Sequence, residues 1–182
     1  MKVLGIAGSI RKKSFNRQLL ELAAADLRAL GCEVRLADIA PLPHMNEDLE
    51  VDGRRPPEVE AFRADLEWAD ALVVATPEYN NAVPGVLKNA IDWGSRTPNL
   101  FSGKVVVVAG AAAGPSGTAL AQRELRQILM VLNVLVVTTP FVYVPHAYDA
   151  FDEAGALLNA QAATNLKTLV GRLVEVAGKL TG

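Results

Sequence analysis

One cysteine, two histidines and a nearly even charge balance set the first limits on this chain. The lone thiol, Cys32, excludes an intramolecular disulfide framework and a metal site built on several thiolates. Eighteen basic residues against 20 acidic ones leave a formal charge of −2, without the basic footprint of a nucleic-acid binder. No apolar run reaches the roughly 18 residues of a membrane span. No charged stretch precedes a longer apolar run at the N-terminus, as a signal peptide requires, so a cytoplasmic protein is expected. Two well-known phosphate loops are missing as well. The dinucleotide fingerprint G-x-G-x-x-G needs three close glycines, whereas Gly5 and Gly8 are followed by none until Gly31. The NTPase loop G-x-x-x-x-G-K-[ST] fails at its best candidate, Gly110–Pro115, which has no Gly-Lys pair.

What is present is apolar. Hydrophobic residues make up 51% of the chain and the mean hydropathy is +0.21, which leaves apolar surface for a subunit interface. A length of 182 residues suits a single domain, 1–182, with a core that needs no staples.

Apolar runs alternate with helical periodicity. Strands are expected at Val3–Ala7, Glu33–Ala37, Ala71–Ala75, Lys104–Ala109 and Val134–Thr138. Helices are expected at Asn16–Leu30, Glu58–Trp68, Val83–Trp93, Gly117–Leu132 and Asp152–Leu180, the last with a break near Gly171. Pro41–Pro57 reads as a long polar surface connection. Near-continuous Val, Leu, Ile and Ala in the strands indicate a parallel sheet covered on both faces. Right-handed crossovers then give an α/β, flavodoxin-like doubly wound five-stranded sheet of order 2-1-3-4-5. A ligand is expected at its switch point, outside the carboxyl ends of strands 1 and 3.

Two loops fall there. The first reads Gly8-Ser9-Ile10-Arg11-Lys12-Lys13-Ser14-Phe15-Asn16 and leads into a helix. Free backbone N–H groups at a helix N-terminus, with hydroxyls, an amide and a guanidinium, suit a phosphate monoester. The same residues also suit a plain helix cap with solvated cations. The second, Thr76-Pro77-Glu78-Tyr79-Asn80-Asn81-Ala82-Val83-Pro84-Gly85, offers backbone donors, amides and a flat ring to a heterocycle. It is equally compatible with an ordinary Asn-rich turn.

The segments Gly8-Ser9-x-Arg11-x-x-Ser14-x-Asn16, Thr76-Pro77-Glu78-Tyr79-Asn80 and Pro84-Gly85-Val86-Leu87-Lys88-Asn89-Ala90-Ile91-Asp92-Trp93 resemble the NADPH-dependent FMN reductase family. Those proteins include quinone, chromate and azo-compound reductases. The resemblance spans nearly the whole chain. It implies FMN as cofactor, NADPH or NADH as co-substrate, and a small-molecule electron acceptor. Ser9, Arg11, Ser14, Phe15 and Asn16 would surround the FMN phosphate. Pro77, Glu78, Tyr79 and Asn80 would line the isoalloxazine and ribityl chain, Glu78 through its backbone because its carboxylate would repel an anionic cofactor. A third loop, Ala111–Thr118, would close over the pyrimidine end through backbone groups, with Ala112 and Gly114 as contacts. Relatives often carry a Ser near Ala112 and a Gly-Gly pair where this chain has Gly117-Thr118, so Thr118 is expected to add bulk near the nicotinamide.

The resulting expectation is ping-pong hydride transfer through flavin N5 to a quinone or a similar electron-poor acceptor. No catalytic side chain is required, and Tyr79 is the candidate for shaping the acceptor pocket. A homodimer or homotetramer is expected, with Trp93 and the helix Ala119–Leu132 as contact surfaces. A flavodoxin-type electron carrier and a flavin-dependent regulatory protein stay open as alternatives. His44, His146 and Cys32 read as bystanders, and Asp38 as a turn residue. Tyr143, His146 and Tyr148 follow an edge strand and are expected to reach an active site only across a subunit interface.

Overall fold

Apolar runs with no polar face become strands buried on both sides, and helices enclose them. In the computed structural model, which describes residues 1–181, β1 (Lys2–Ala7), β3 (Ala71–Ala75) and β4 (Val105–Ala111) form the sheet's centre. Every residue of β3 and β4 is buried. The outer strands are β2 (Glu33–Ala37) and β5 (Leu135–Val144), and all pairings are parallel in the order β2-β1-β3-β4-β5.

Period-two alternation divides the core. Val3 and Ala7 face one side with Val73 and Val107, where α1 (Phe15–Ala29) and α6 (Ala160–Thr181) supply Leu19, Leu20, Leu27, Leu169 and Leu173. Leu4 and Ile6 face the other side with Leu72 and Val106. There α2 (Pro57–Trp68), α3 (Gly85–Ser95) and α4 (Ala119–Val131) supply Leu66, Leu87, Trp93 and Leu125. Each fully buried leucine stabilises the fold by roughly 1.5–3 kcal/mol. Trp93 is fully buried, so it is a core residue rather than the expected contact surface.

Most element ends shift by one or two residues, and the larger departures from the sequence reading lie in the C-terminal third. β5 runs on to Val144 instead of stopping at Thr138, because the pairing with β4 shifts register between Val107 and Ala109. An edge strand tolerates the extra residues, and tolerates Pro140, which has no N–H to give. The closing helix starts at Ala160 rather than Asp152. A short helix α5 (Ala147–Ala150) comes first, followed by a turn with Gly155 at φ 84°. No break occurs at Gly171, since one glycine costs a long packed helix only about 1 kcal/mol.

The 41–57 connection is pinned rather than loose. The Trp93 Nε1–H and the Asn89 amide both donate to the Pro43 carbonyl, and Glu50 binds the guanidinium groups of Arg55 and Arg96. Both ion pairs hold the Glu50 carboxyl down at about 2. The buried Arg63 of α2 donates to the carbonyls of Trp93, Gly94, Arg96 and Pro98, capping the C-terminal end of α3.

Candidate cofactor site at the switch point

Three loops meet at the carboxyl ends of β1, β3 and β4. The first, after β1, ends on Ser14, the N-cap of α1, whose Oγ accepts from the Arg17 N–H at 3.4 Å. Among the described residues the Phe15 and Asn16 N–H groups have no protein acceptor. They are the orphan donors of a helix start. Arg11 makes no ion pair among the described residues, and its guanidinium lies 5.0 Å from the Phe15 ring centroid. Arg17 is already paired with Glu21 at 3.1 Å.

Asn16 is committed elsewhere. Its side-chain amide is buried, donates to the Ala111 carbonyl at 2.8 Å and accepts from the Ala111 N–H at 2.9 Å. The carbonyl of Ala109, two residues earlier in β4, faces the β3 side, where it accepts from the Thr76 N–H. Past the end of β3 the Asn16 amide thus replaces a strand on that side. It ties the start of α1 to the root of the third loop, and its backbone N–H has no protein acceptor among the described residues.

The second loop turns back on itself. Tyr79 and Ala82 exchange both backbone hydrogen bonds, at 3.2 and 3.1 Å, with Asn80 and Asn81 in the left-handed region at φ 52° and 64°. Asparagine is one of the few side chains that tolerates this, and the tight turn leaves Tyr79 half exposed. Glu78 sends its carboxylate away from the first loop. It accepts from the Leu120 and Ala121 N–H groups, each at 2.9 Å, and from the Ser116 hydroxyl at 3.1 Å. One acidic side chain thereby caps α4 and complements its dipole. The Glu78 N–H is left without a protein acceptor among the described residues. Glu124 of α4 returns the tie, accepting from the Val83 N–H at 2.7 Å.

The third loop packs too closely over β4 for any side chain at Gly110. A Cβ there would meet Thr118 Oγ1 at 2.2 Å and the Thr76 carbonyl at 2.3 Å. Thr118 is fully buried and accepts from the Gln122 amide, so it lies beneath the loop and does not add the expected bulk above it.

These loops enclose a cavity whose wall includes Ser9, Arg11, Ser14, Phe15 and Asn16 from the first loop, and Pro77, Glu78 and Tyr79 from the second. Ala111, Ala112 and Ala113 complete it from the third loop. Nine of the sequence-expected residues are thus brought together, while Asn80 and Gly114 lie outside the wall. Tyr148 lines the same cavity from its own chain, which corrects the expectation that it reaches a site only across an interface. The cause is the longer β5: it delivers α5 to the third loop, where the Ala147 N–H donates to the Ala112 carbonyl at 3.1 Å. A second cavity, about 350 Å³ against about 260 Å³, opens on the β2 side of the first loop beside Asp38. Its wall has no aromatic residue and no part of the second or third loop, so size does not make it the better site for a flat ligand.

The cavity therefore has two chemically different ends. Around Ser14 it offers backbone N–H groups, hydroxyls and a free guanidinium, which suit an anion. Around Pro77, Tyr79 and Ala112 it offers an aromatic ring, small side chains and backbone donors, which suit a flat heterocycle. The model of the NADPH-dependent FMN reductase family matches residues 1–149. The chain belongs to that family. An NAD(P)H-dependent FMN reductase of Pseudomonas aeruginosa is 49% identical to this family member over 163 residues, 89% of this chain and 87% of its own. An NAD(P)H:quinone oxidoreductase of Solanum tuberosum is 40% identical over 186 residues, covering 100% of this chain and 95% of its own. Among solved structures, the NAD(P)H:(acceptor) oxidoreductase FerB of Paracoccus denitrificans superposes with a TM-score of 0.87 at 33% identity, over 98% of this chain and 97% of that one. Membership makes this reductase an NAD(P)H-dependent, FMN-linked oxidoreductase.

Proposed function

We propose that this reductase carries electrons from NADPH or NADH to a quinone or a similar electron-poor aromatic acceptor, with FMN held in the three-loop cavity. One observation carries the reading. A helix start with unpaired N–H groups and a wall of Pro77, Tyr79 and small side chains share one cavity at the switch point of a parallel sheet. Bound FMN supplies a relay between a two-electron donor and a separate acceptor. The protein's share is binding and positioning. Ser9, Arg11, Ser14 and the N–H groups of Phe15 and Asn16 hold the phosphate. Pro77, the Glu78 N–H, Tyr79 and Ala112 hold the ring and ribityl chain, while Asn80 fixes the turn that presents Tyr79 and Gly114 shapes the third loop.

Donor and acceptor share one open mouth beside Tyr79, so they bind in alternation and initial rates follow a ping-pong pattern. Quinone acceptors are supported by the reaction named for the potato relative. A second copy of the chain covers the apolar groove between α4 and β5, where Met130, Phe141 and Leu120 stand exposed. The reading calls for a compartment that holds NAD(P)H, such as the cytoplasm. No helix among the described residues is long and apolar enough to cross a membrane.

Purified protein should be yellow, or turn yellow with FMN, absorbing near about 450 nm. It should consume NADPH only when a quinone is present, with parallel double-reciprocal lines. A colourless protein that takes up no added FMN would refute the reading.

A further inference from the structure

Tyr148 has no role in the reading above, yet it forms part of the cavity wall. Its position is built, not incidental. The chain leaves β5 through His146, held in the left-handed region at φ 48°, a conformation that costs a non-glycine residue energy. The His146 N–H donates to the Gly114 carbonyl at 3.4 Å and the Ala147 N–H to the Ala112 carbonyl at 3.1 Å, which fastens α5 to the third loop. Ala147 is fully buried, so the next residue is thrown outward from a fixed point.

The Tyr148 ring then meets the Phe15 ring edge-on, with centroids 5.1 Å apart and planes at 87°. Phe15 is braced from behind by Phe151, stacked at 5.5 Å, and carries the Arg11 guanidinium over its face. Phe15 is the first residue of α1, immediately after the Ser14 cap. Contact with Phe15 therefore puts Tyr148 at the anion end of the cavity, away from the turn of Tyr79. Tyr148 is 71% exposed, and its hydroxyl has no protein partner among the described residues. Its phenol lines the same cavity as the unpaired N–H groups and the Arg11 guanidinium, and so adds one more donor to that cavity.

We infer that Tyr148 is a cofactor-binding residue, its hydroxyl donating to the FMN phosphate together with Arg11 and Ser14. This rests on FMN occupying the three-loop cavity. Arg11, Ser14 and Tyr148 then surround the phosphate from two separate parts of the chain, so cofactor retention depends on α5 being docked.

The test compares the apo-forms of wild type and Tyr148→Phe, titrated with FMN and with riboflavin, which lacks the phosphate, by quenching of flavin fluorescence. Tyr148→Phe keeps the ring contact with Phe15, and an exposed hydroxyl is not needed for folding, which circular dichroism checks. Losing a hydrogen bond to a charged group should weaken FMN binding about 10-fold or more, with riboflavin binding unchanged. Equal FMN affinity in both proteins overturns the assignment, as does a parallel loss for both flavins. Failure of the wild-type protein to bind FMN would instead overturn the underlying cofactor reading.

Discussion

Ser14 uses one hydroxyl twice. Its oxygen accepts from the Arg17 N–H, and its proton stays free for a ligand. The Arg11 side chain has no such structural duty, since it makes only a face contact with Phe15 among the described residues. The two should separate on mutation. Ser14→Ala should lower stability by about 1 kcal/mol, the usual value of an N-cap, and also weaken FMN binding. Arg11→Ala should weaken FMN binding about 10-fold while leaving the melting temperature of the apo-protein within a degree or so. With FMN saturating, turnover should stay near wild type in both, because the phosphate end anchors and does no chemistry. Equal FMN affinity in wild type and both variants would remove the phosphate from this loop. Sequence alone pointed to these residues through their chemistry. It did not reveal that the Asn16 side chain is spent on Ala111, because that partner lies 95 residues away.

At the scale of elements, two carboxylates set how the loops are held. Glu78 ties the second loop to the start of α4 through three hydrogen bonds. Glu78→Ala should cost about 1–2 kcal/mol, as the loss of a good helix cap does, and should loosen FMN binding without removing any side chain from the anion end. Thermal melts and FMN titration of this one variant read both effects, and an unchanged melt would show that the tie is not used. Away from the site, Glu50 holds the 41–57 connection against α3 through Arg55 and Arg96. Its carboxyl is lowered from 4.5 to about 2, so its stabilising contribution is fully present above about pH 4.5. That contribution is lost as pH falls toward 2, where the folded carboxylate also takes up its proton. Urea unfolding of wild type and Glu50→Gln should therefore differ most at roughly pH 6, with the gap narrowing below about pH 4.5 and closing only near pH 2. A gap constant with pH would contradict the ion-pair account.

For the whole molecule, the unfinished surface is the groove of α4 and β5. Met130 is 69% and Leu120 36% exposed, and both line this groove with Phe141 on a free strand edge. Apolar surface gathered at an edge strand is a liability unless it is covered. Met130→Asp together with Phe141→Glu should convert an oligomer into a monomer in light scattering, with FMN affinity close to wild type, since neither residue lines the cofactor cavity. A wild-type protein that is already monomeric would leave no second copy to cover this face.

The boundary between sequence and tertiary structure follows the range of the interactions. Strand and helix identities, the parallel sheet and its order were legible because they rest on local periodicity, on burial of whole apolar runs and on handed crossovers. The anion chemistry of the first loop was legible because its donors are consecutive. Only the tertiary structure decided which donors are still free. It spent Asn16 on Ala111, turned the Glu78 carboxylate to α4, buried Thr118 beneath its loop and sank Trp93 into the core. It also carried β5 past its expected end and so brought Tyr148 to Phe15. Each outcome depends on a contact between segments far apart in the chain, and no local pattern encodes such contacts.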